Sequence, residues 1–282
     1  MPPDLLLLTI ALGACLLAAA LSMADALVAS RHAVPATGPL LPSGARVAWA
    51  RWIAGLPLAI LGVELLLRAV ATGRPPIANL HEVVVALAAA ILALHLVFTR
   101  GVAVIGIAAS LGAAALVGFA MRLPVPPEPL VPALQAPLLL AVHVGSAILA
   151  YAAAMIAGLA AVGELIVTAL GPIRARRLPS SAGLRSLAHR SVLIALPLMT
   201  AAIALGSIWA NLAWRSYWSN DPKELSAAAT WLLLGAYLHA VGRRDRWGRA
   251  APWLAVAGLG AVLFTLVGAS LLFGGQHSYA QV

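Results

Sequence analysis

Charged residues and cysteines are both scarce in this sequence. Only 10% of its 282 residues are Asp, Glu, Lys or Arg, whereas 62% are hydrophobic. This composition excludes a soluble globular protein. The single cysteine, Cys15, can form no internal disulfide, and the chain has neither a CxxC pair nor a CxxCH motif. The sequence therefore offers no dithiol redox pair and no motif for thioether attachment of a cofactor.

Long apolar runs make up most of the chain and predict an all-α membrane bundle of about eight transmembrane helices. Each run is near the roughly 20 residues that a helix needs to cross a bilayer. The predicted spans are Leu5 to about Ala29, 47–70, 77–98, 102–121, 136–170, 191–214, 223–241 and 251–273. The first run lacks a preceding basic segment and is too long for a signal-peptide core, so we expect it to be retained. Residues 1–282 are thus expected to form a single membrane domain.

The basic residues divide unequally between the two sides of this predicted bundle. One side carries Arg31, Arg46, Arg51, Arg100, Arg174, Arg176, Arg177, Arg185, Arg190, Arg243, Arg244, Arg246 and Arg249, and the other carries Arg68, Arg74, Arg122, Arg215 and Lys223. The excess of Lys and Arg predicts the cytoplasmic side. Both termini are therefore expected outside. The formal charge of +9 then reflects arginines that set the membrane orientation and contact anionic lipid. Nucleic-acid binding is not needed to explain it.

The segment 207–224, SIWANLAWRSYWSNDPKE, concentrates three tryptophans and four charged residues in an otherwise apolar chain. The orientation above places it outside the membrane. Asn211, Trp214 and Trp218 are spaced by three and four residues, so a continuing helix would align them in one stripe. Asp221 is expected to cap the next helix, because Pro222 and Glu224 follow at the positions of a capping box.

Two interpretations of this segment follow from its residues alone. It could simply begin a helix and anchor it at the membrane surface with tryptophans. Alternatively, flat aromatic surfaces beside Arg215, Lys223 and a helix N-terminus suit a planar apolar ligand that carries carboxylates. Haem is the commonest ligand of that kind.

Four motifs, in order along the chain, resemble those of the CcsA (ResC) family of cytochrome c assembly proteins. They are Pro76-Ile77-Ala78-Asn79-Leu80 with Glu82, His143-Val144, WANLAWRSYWSNDPKE with Trp231 and Tyr237-Leu238-His239, and His277-Ser278-Tyr279. The resemblance spans most of the chain. It implies a polytopic membrane protein that handles haem.

The resemblance also implies a haem site. In the family two external histidines flank the tryptophan motif and ligate the haem iron, and these correspond to His143 and His277. A third histidine, His239, would serve a second haem position about 27 Å deeper, at 1.5 Å per helical residue. The expected haem-binding residues are completed by Trp209, Asn211, Trp214, Trp218 and Asp221. No residue is expected to act as a nucleophile.

The function implied is cytochrome c biogenesis in the plasma (inner) membrane of a bacterium. The chain would bind non-covalent b-type haem and move it across the membrane or present it outside for attachment to apocytochrome c. It would be the haem-handling subunit of a cytochrome c synthase, with a large partner of the CcsB/ResB type. A haem sensor or regulator without ligation activity and a small-solute transporter are the alternatives.

Departures from the family pattern keep the sensor alternative open. Arg215 replaces a glycine, Asn220 replaces a tryptophan, and Leu225-Ser226 replaces threonine-tryptophan. His81 stands where the family usually has tyrosine.

Other polar residues in or near the spans have structural interpretations. We expect Glu64 to be paired, Glu82 to face the external site and Glu164 to snorkel at a cytoplasmic helix end. His189 is expected in a solvated cytoplasmic loop. His95 is either hydrogen-bonded within the bundle or a partner of His239. Ser146, Ala150, Ala154 and Gly158 form a small-residue stripe that lets a neighbouring helix approach.

Overall fold

The computed structural model describes residues 3–31, 44–99, 103–123, 137–174, 178–243 and 248–273, together with residue 275. Regular structure within these residues is entirely helical, which confirms the predicted all-α class. The helices are α1 (Pro3–Arg31), α2 (Gly44–Thr72), α3 (Leu80–Phe98), α4 (Ala103–Ala120), α5 (Pro137–Arg174), α6 (Ser181–Trp214), α7 (Pro222–Val241), α8 (Ala251–Leu263) and α9 (Ala269–Leu272). A π-helical turn, Phe264–Gly268, continues α8 into α9. The described residues therefore form eight helical rods.

The helices have the length and composition of membrane spans. Within the part of the chain that the structure describes, six stretches are long and apolar enough to cross a bilayer, namely Pro3–Ala24, Ile53–Thr72, Leu80–Phe98, Leu138–Gly171, Ser181–Trp214 and Gly248–Gly268. A shorter apolar stretch lies in α4, and the 20-residue α7 begins with a polar turn. Large apolar side chains face outward, including Val70 (74% exposed) and Leu138 (77%). Such surfaces suit lipid and not water. The chain is an integral membrane protein.

Helix α5 lies at the centre of the bundle. It packs against α3, α6 and α8, while α2 and α4 also pack against α3 and α1 packs against α2 and α4. A Cβ atom added at Gly158 would lie only 2.4 Å from the Cβ of Leu259. Helices α5 and α8 therefore approach more closely than a larger residue at position 158 would allow. This confirms the close helix approach that was predicted for this end of the small-residue stripe.

Helix α6 begins ten residues earlier than the span predicted at 191–214. Ser180 caps it by accepting a hydrogen bond from the Gly183 N–H at 3.1 Å. Hydropathy marks only the apolar part of a helix, and α6 continues through Arg185 because arginine is a good helix former. Its guanidinium bonds Glu164 at 2.6 and 2.8 Å.

Two predictions for this region are consequently wrong. Glu164 does not snorkel into water, since it is only 4% exposed and ion-paired. His189 does not lie in a solvated loop. It is half-buried on α6, with its ring centroid 6.3 Å from that of Tyr237.

The starts of α3, α5 and α7 and the end of α6 meet at one end of the bundle, because residues from all four line a common cavity. We call this the tryptophan end. The Glu164–Arg185 pair lies on α5 and α6 toward their opposite ends. The fold thus separates two polar regions along the length of the bundle.

Candidate functional site

The turn between α6 and α7 has two residues with left-handed backbone conformation. Arg215 ends α6 with φ 61° and ψ 26°, and Asn220 has φ 57°. Glycine and asparagine adopt this conformation at the least cost. Because α6 stops at Trp214, the predicted helical stripe of Asn211, Trp214 and Trp218 is wrong.

The start of α7 confirms the predicted capping box. The Asp221 carboxylate accepts the Lys223 N–H at 2.8 Å. Glu224 accepts the N–H groups of Asp221 at 3.2 Å and of Ser219 at 2.8 Å. A Cβ atom at Gly275 would lie 2.2 Å from the Asp221 carboxylate, so the backbone after the last helix passes directly against this cap. The cap thereby joins the turn to the C-terminal part of the chain.

A cavity of about 180 Å³ lies beneath this turn. Its walls come from the starts of α3, α5 and α7, the end of α6 and the turn itself. Most of the lining residues are apolar or aromatic, with His143, Ser207, Lys223 and Glu224 among the polar exceptions. An apolar cavity with a few placed polar groups is the usual form of a site for an organic ligand or cofactor.

His143 is held in one orientation at the wall of the cavity. Its Nδ1 lies 2.8 Å from the Ala202 carbonyl oxygen, and a carbonyl only accepts, so Nδ1 carries the hydrogen. In the neutral ring the lone pair is then on Nε2. Metal-binding histidines are commonly oriented in this way by a carbonyl. A Cβ atom at Gly206 would lie 2.5 Å from His143 Cε1, so only glycine lets α6 pass this ring.

Two tryptophans support the imidazole from behind. The Trp209 ring is nearly parallel to that of His143, with an angle of 8° and centroids 6.3 Å apart. Trp214 meets Trp209 edge-on, with centroids 4.9 Å apart. Trp209 is 2% exposed and packs with Leu140 in a small cluster. Trp209 and Trp214 therefore act mainly as a scaffold for His143.

The remaining aromatic residues of the segment lie at the more exposed part of the cavity. Tyr217 and Trp218 are 61% and 41% exposed. The Trp218 indole N–H donates to the Asn220 side-chain oxygen at 2.9 Å, so Asn220 orients the indole beside it. Lys223 also lines the cavity, and no ion pair among the described side chains includes its ammonium group.

A buried carboxylate stands just behind the cavity wall. Glu82 was predicted to face the external site. It is instead 0% exposed and does not line the cavity. It accepts two hydrogen bonds from the Arg74 guanidinium, at 2.8 and 3.0 Å, and a third from the Ala78 N–H at 2.8 Å. Arg68 lies 3.6 Å from the same carboxylate.

This ion-pair network extends into the first helices. Arg68 also contacts Glu64 at 3.3 Å and Asp4 at 3.2 Å, which confirms the expected pairing of Glu64. His81 bonds the Ala120 carbonyl oxygen through Nδ1 at 3.0 Å, and its Nε2 lies 3.9 Å from Glu64. The network connects α1, α2, α3 and α4 at the tryptophan end.

Comparison with known proteins identifies the family. A model described as cytochrome C assembly protein matches residues 77–277, most of the chain and all the elements around the cavity. The chain belongs to this family. Cytochrome c biogenesis is therefore its role.

Curated relatives match over most of their length. The cytochrome c biogenesis protein CcsA of Thermosynechococcus vestitus is 34% identical, over 86% of this chain and 88% of its own. Its counterparts in Microcystis aeruginosa and Synechococcus elongatus are each 33% identical, over 80% of this chain and 86% of their own. The resemblance to CcsA proteins is thereby confirmed.

The structure gathers only part of the site predicted for this family member. His143, Trp209 and Trp218 line one cavity, and Trp214 and Asp221 support it from outside. Asn211 is half-buried on α6 and absent from the lining. His277 lies outside the described residues.

His239 lies apart from this group, exposed at the far end of α7. The nearby Trp231 donates its indole N–H to Thr200 at 2.8 Å. His95 is hydrogen-bonded to the Thr99 hydroxyl on its own helix, as the structural interpretation predicted. Among the described residues no three His, Cys, Asp or Glu side chains gather to hold a metal ion. A porphyrin iron does not need such a group, since the macrocycle supplies four ligands and the protein one or two.

Sequence reasoning missed Tyr217 and Gly206. Tyr217 stands inside the tryptophan segment and could have been included as a further aromatic surface. Gly206 precedes Trp209 by three residues, which places both on one helical face. A glycine at that spacing indicates close approach of another group, here the His143 ring.

Proposed function

We propose that this protein binds one b-type haem without covalent bonds in the cavity at the tryptophan end and presents it to apocytochrome c. The proposal depends mainly on the orientation of His143 at the wall of an apolar cavity. Its ring is stacked on Trp209, and its Nδ1–H donates to a backbone carbonyl. A neutral imidazole in this tautomer is a suitable axial ligand.

The residues around His143 fit the remaining chemistry of haem. Tyr217 and Trp218 offer flat apolar surfaces for a porphyrin face. Lys223 supplies positive charge for its carboxylates. The fit thus includes an axial ligand, stacking surfaces and a cationic group on one cavity.

We assign the second axial position to His277. Its sequence position is two residues after Gly275, whose backbone passes against the Asp221 cap. Two histidine ligands produce a low-spin haem. This assignment uses the family resemblance together with the position of Gly275.

The protein's chemical task is to hold and orient the haem. Bound haem supplies the vinyl groups to which the thiols of a client CxxCH motif add, so the chain itself needs no nucleophile. Fixing the haem edge near a client peptide would supply the proximity that a bimolecular reaction lacks. We further propose that the tryptophan end faces outward from the plasma membrane, and that a CcsB/ResB-type subunit completes the synthase.

An absorption spectrum of the purified protein, combined with a cytochrome c maturation assay in cells, tests this function. A Soret band with sharp low-spin bands on reduction, together with matured cytochrome c, is the expected result. Colourless protein from haem-replete cells contradicts haem binding and favours a solute transporter. Bound haem without maturation identifies a sensor or regulator, an alternative that the changes at Arg215 and Asn220 keep open.

Trp218→Ala is expected to weaken haem binding about two- to tenfold, because a favourable aromatic contact contributes about 0.5–1.5 kcal/mol. The control is Asp221→Asn, which removes a charge from the same turn while keeping a good N-cap. Haem titrations of both purified variants measure the difference. Equal haem affinity in Trp218→Ala and the parent would identify this tryptophan as a membrane anchor only.

We propose a second haem position at His239, used before haem reaches the cavity. The side chain is exposed at the end of α7, about 27 Å from Asp221 at 1.5 Å per residue. His239→Ala should slow haem loading when cytoplasmic haem is scarce, without changing the spectrum of the loaded cavity. His189→Ala, at the same end, is the control. Unchanged loading kinetics in His239→Ala would count against this position.

A further inference from the structure

Glu82 is connected to the segment before α3 more extensively than helix capping requires. Asn79 already caps the helix by accepting the Glu82 N–H at 2.9 Å. The Glu82 carboxylate then reaches back to the Ala78 N–H and to both terminal nitrogens of Arg74. Residues 74–79 are therefore fixed to the start of α3 through a fully buried anion.

The fixed segment forms part of the cavity wall. Ile77 and Ala78 line the cavity, and Ala78 also packs against the Leu140 and Trp209 cluster. Trp209 in turn stacks on His143. A continuous series of contacts thus leads from the Glu82 carboxylate through Ala78 and Trp209 to the imidazole.

We infer that Glu82 is a positioning residue, which sets the orientation of His143 by holding Ala78 against the Trp209 cluster. The inference rests on the proposed haem site for its functional meaning, but the contacts themselves can be tested without haem. Glu82 does not touch the cavity, so its effect must pass through the wall.

Glu82→Gln is a suitable test because it preserves shape and removes acceptor capacity. A glutamine side chain has one acceptor oxygen and one NH₂ donor, so it cannot accept the Arg74 pair and the Ala78 N–H as the carboxylate does. Three carboxylates, Asp4, Glu64 and Glu82, face two guanidiniums in the network. In the variant Arg68 keeps its contacts with Glu64 and Asp4, whereas Arg74 loses its charged partner.

Glu164→Gln provides a matched control. Glu164 is also a buried glutamate bonded to an arginine, but it lies far from the tryptophan end. Each variant weakens the bonding of a buried glutamate to arginine. Only the Glu82 variant should alter the cavity wall.

Two measurements use haem-free protein. One is the rate of amide hydrogen exchange at Ala78, and the other is the rate at which diethyl pyrocarbonate modifies His143. In Glu82→Gln we expect exchange at Ala78 to be about tenfold faster, because a buried charge-assisted hydrogen bond is lost, and His143 modification to be faster. The third measurement is the visible and electron paramagnetic resonance spectrum of the haem-loaded variant. The low-spin signal of Glu82→Gln should differ from that of the parent. Glu164→Gln should match the parent in all three measurements.

Equal changes in the two variants would indicate general destabilisation and overturn the inference. Unchanged Ala78 exchange in Glu82→Gln, or faster exchange with unaltered His143 modification and spectrum, would overturn it as well. If the parent binds no haem but Glu82→Gln exposes both Ala78 and His143, the positioning role is supported and the proposed haem function fails. The two failures are therefore distinguishable.

Discussion

His143→Ala is expected to lower haem affinity at least about tenfold, since weakening a ligand's hydrogen-bond support alone typically costs 10–100-fold in metal affinity. The variant removes the axial nitrogen and leaves space between the Ala202 carbonyl and Gly206. Added imidazole should occupy that space and restore part of the low-spin spectrum. Haem titration with and without imidazole measures both effects.

His189→Ala is the appropriate control for this experiment, because it removes a half-buried imidazole at the opposite end of the bundle. It should retain the parental spectrum. Parental haem binding in His143→Ala, with or without imidazole, would show that another residue ligates the iron.

Gly206→Ala is expected to disrupt the same site by adding one methyl group. The new Cβ would lie 2.5 Å from His143 Cε1 and 2.9 Å from Nδ1, so the ring or α6 must move and the Nδ1–H bond to Ala202 is strained. Overpacking of this kind typically costs about 1–3 kcal/mol. We expect a lower unfolding temperature and strongly reduced Soret absorbance at equal protein concentration.

Gly145→Ala is its matched control on the facing helix. A Cβ atom at Gly145 meets nothing within 4 Å, and replacing an interior helix glycine by alanine typically stabilises by about 0.5–1 kcal/mol. This variant should bind haem like the parent. Should Gly206→Ala also behave like the parent, α6 would not approach His143 as closely as the structure shows.

The succession of helices could be predicted because membrane spans must satisfy their own backbone hydrogen bonds over a fixed apolar length. The prediction failed where that rule does not apply. Helix α6 begins ten residues before the predicted span, and Arg185 in this extension pairs with Glu164 across the contact between α5 and α6. A single sequence does not reveal such a partner.

The turn was only partly predictable for a similar reason. The capping box at Asp221 is local, so its spacing in the sequence was sufficient. The left-handed conformation of Arg215 has no comparable local signal, because few non-glycine residues adopt it. That conformation separates Trp214 from Trp218 and assigns them different roles. The stacking of Trp209 on His143 is a contact between helices and could not be inferred from spacing within α6.

The cavity draws its walls from three separated parts of the chain, near residues 77–83, 140–151 and 199–227. A chain synthesised from its N-terminus therefore completes the cavity only after α7 has emerged from the ribosome and packed against α6. Nascent chains that end between His143 and Trp218 contain the histidine but lack the turn with Trp218 and Lys223. The cavity is thus completed only late in biosynthesis, because the turn that covers it follows six of the helices in the described residues.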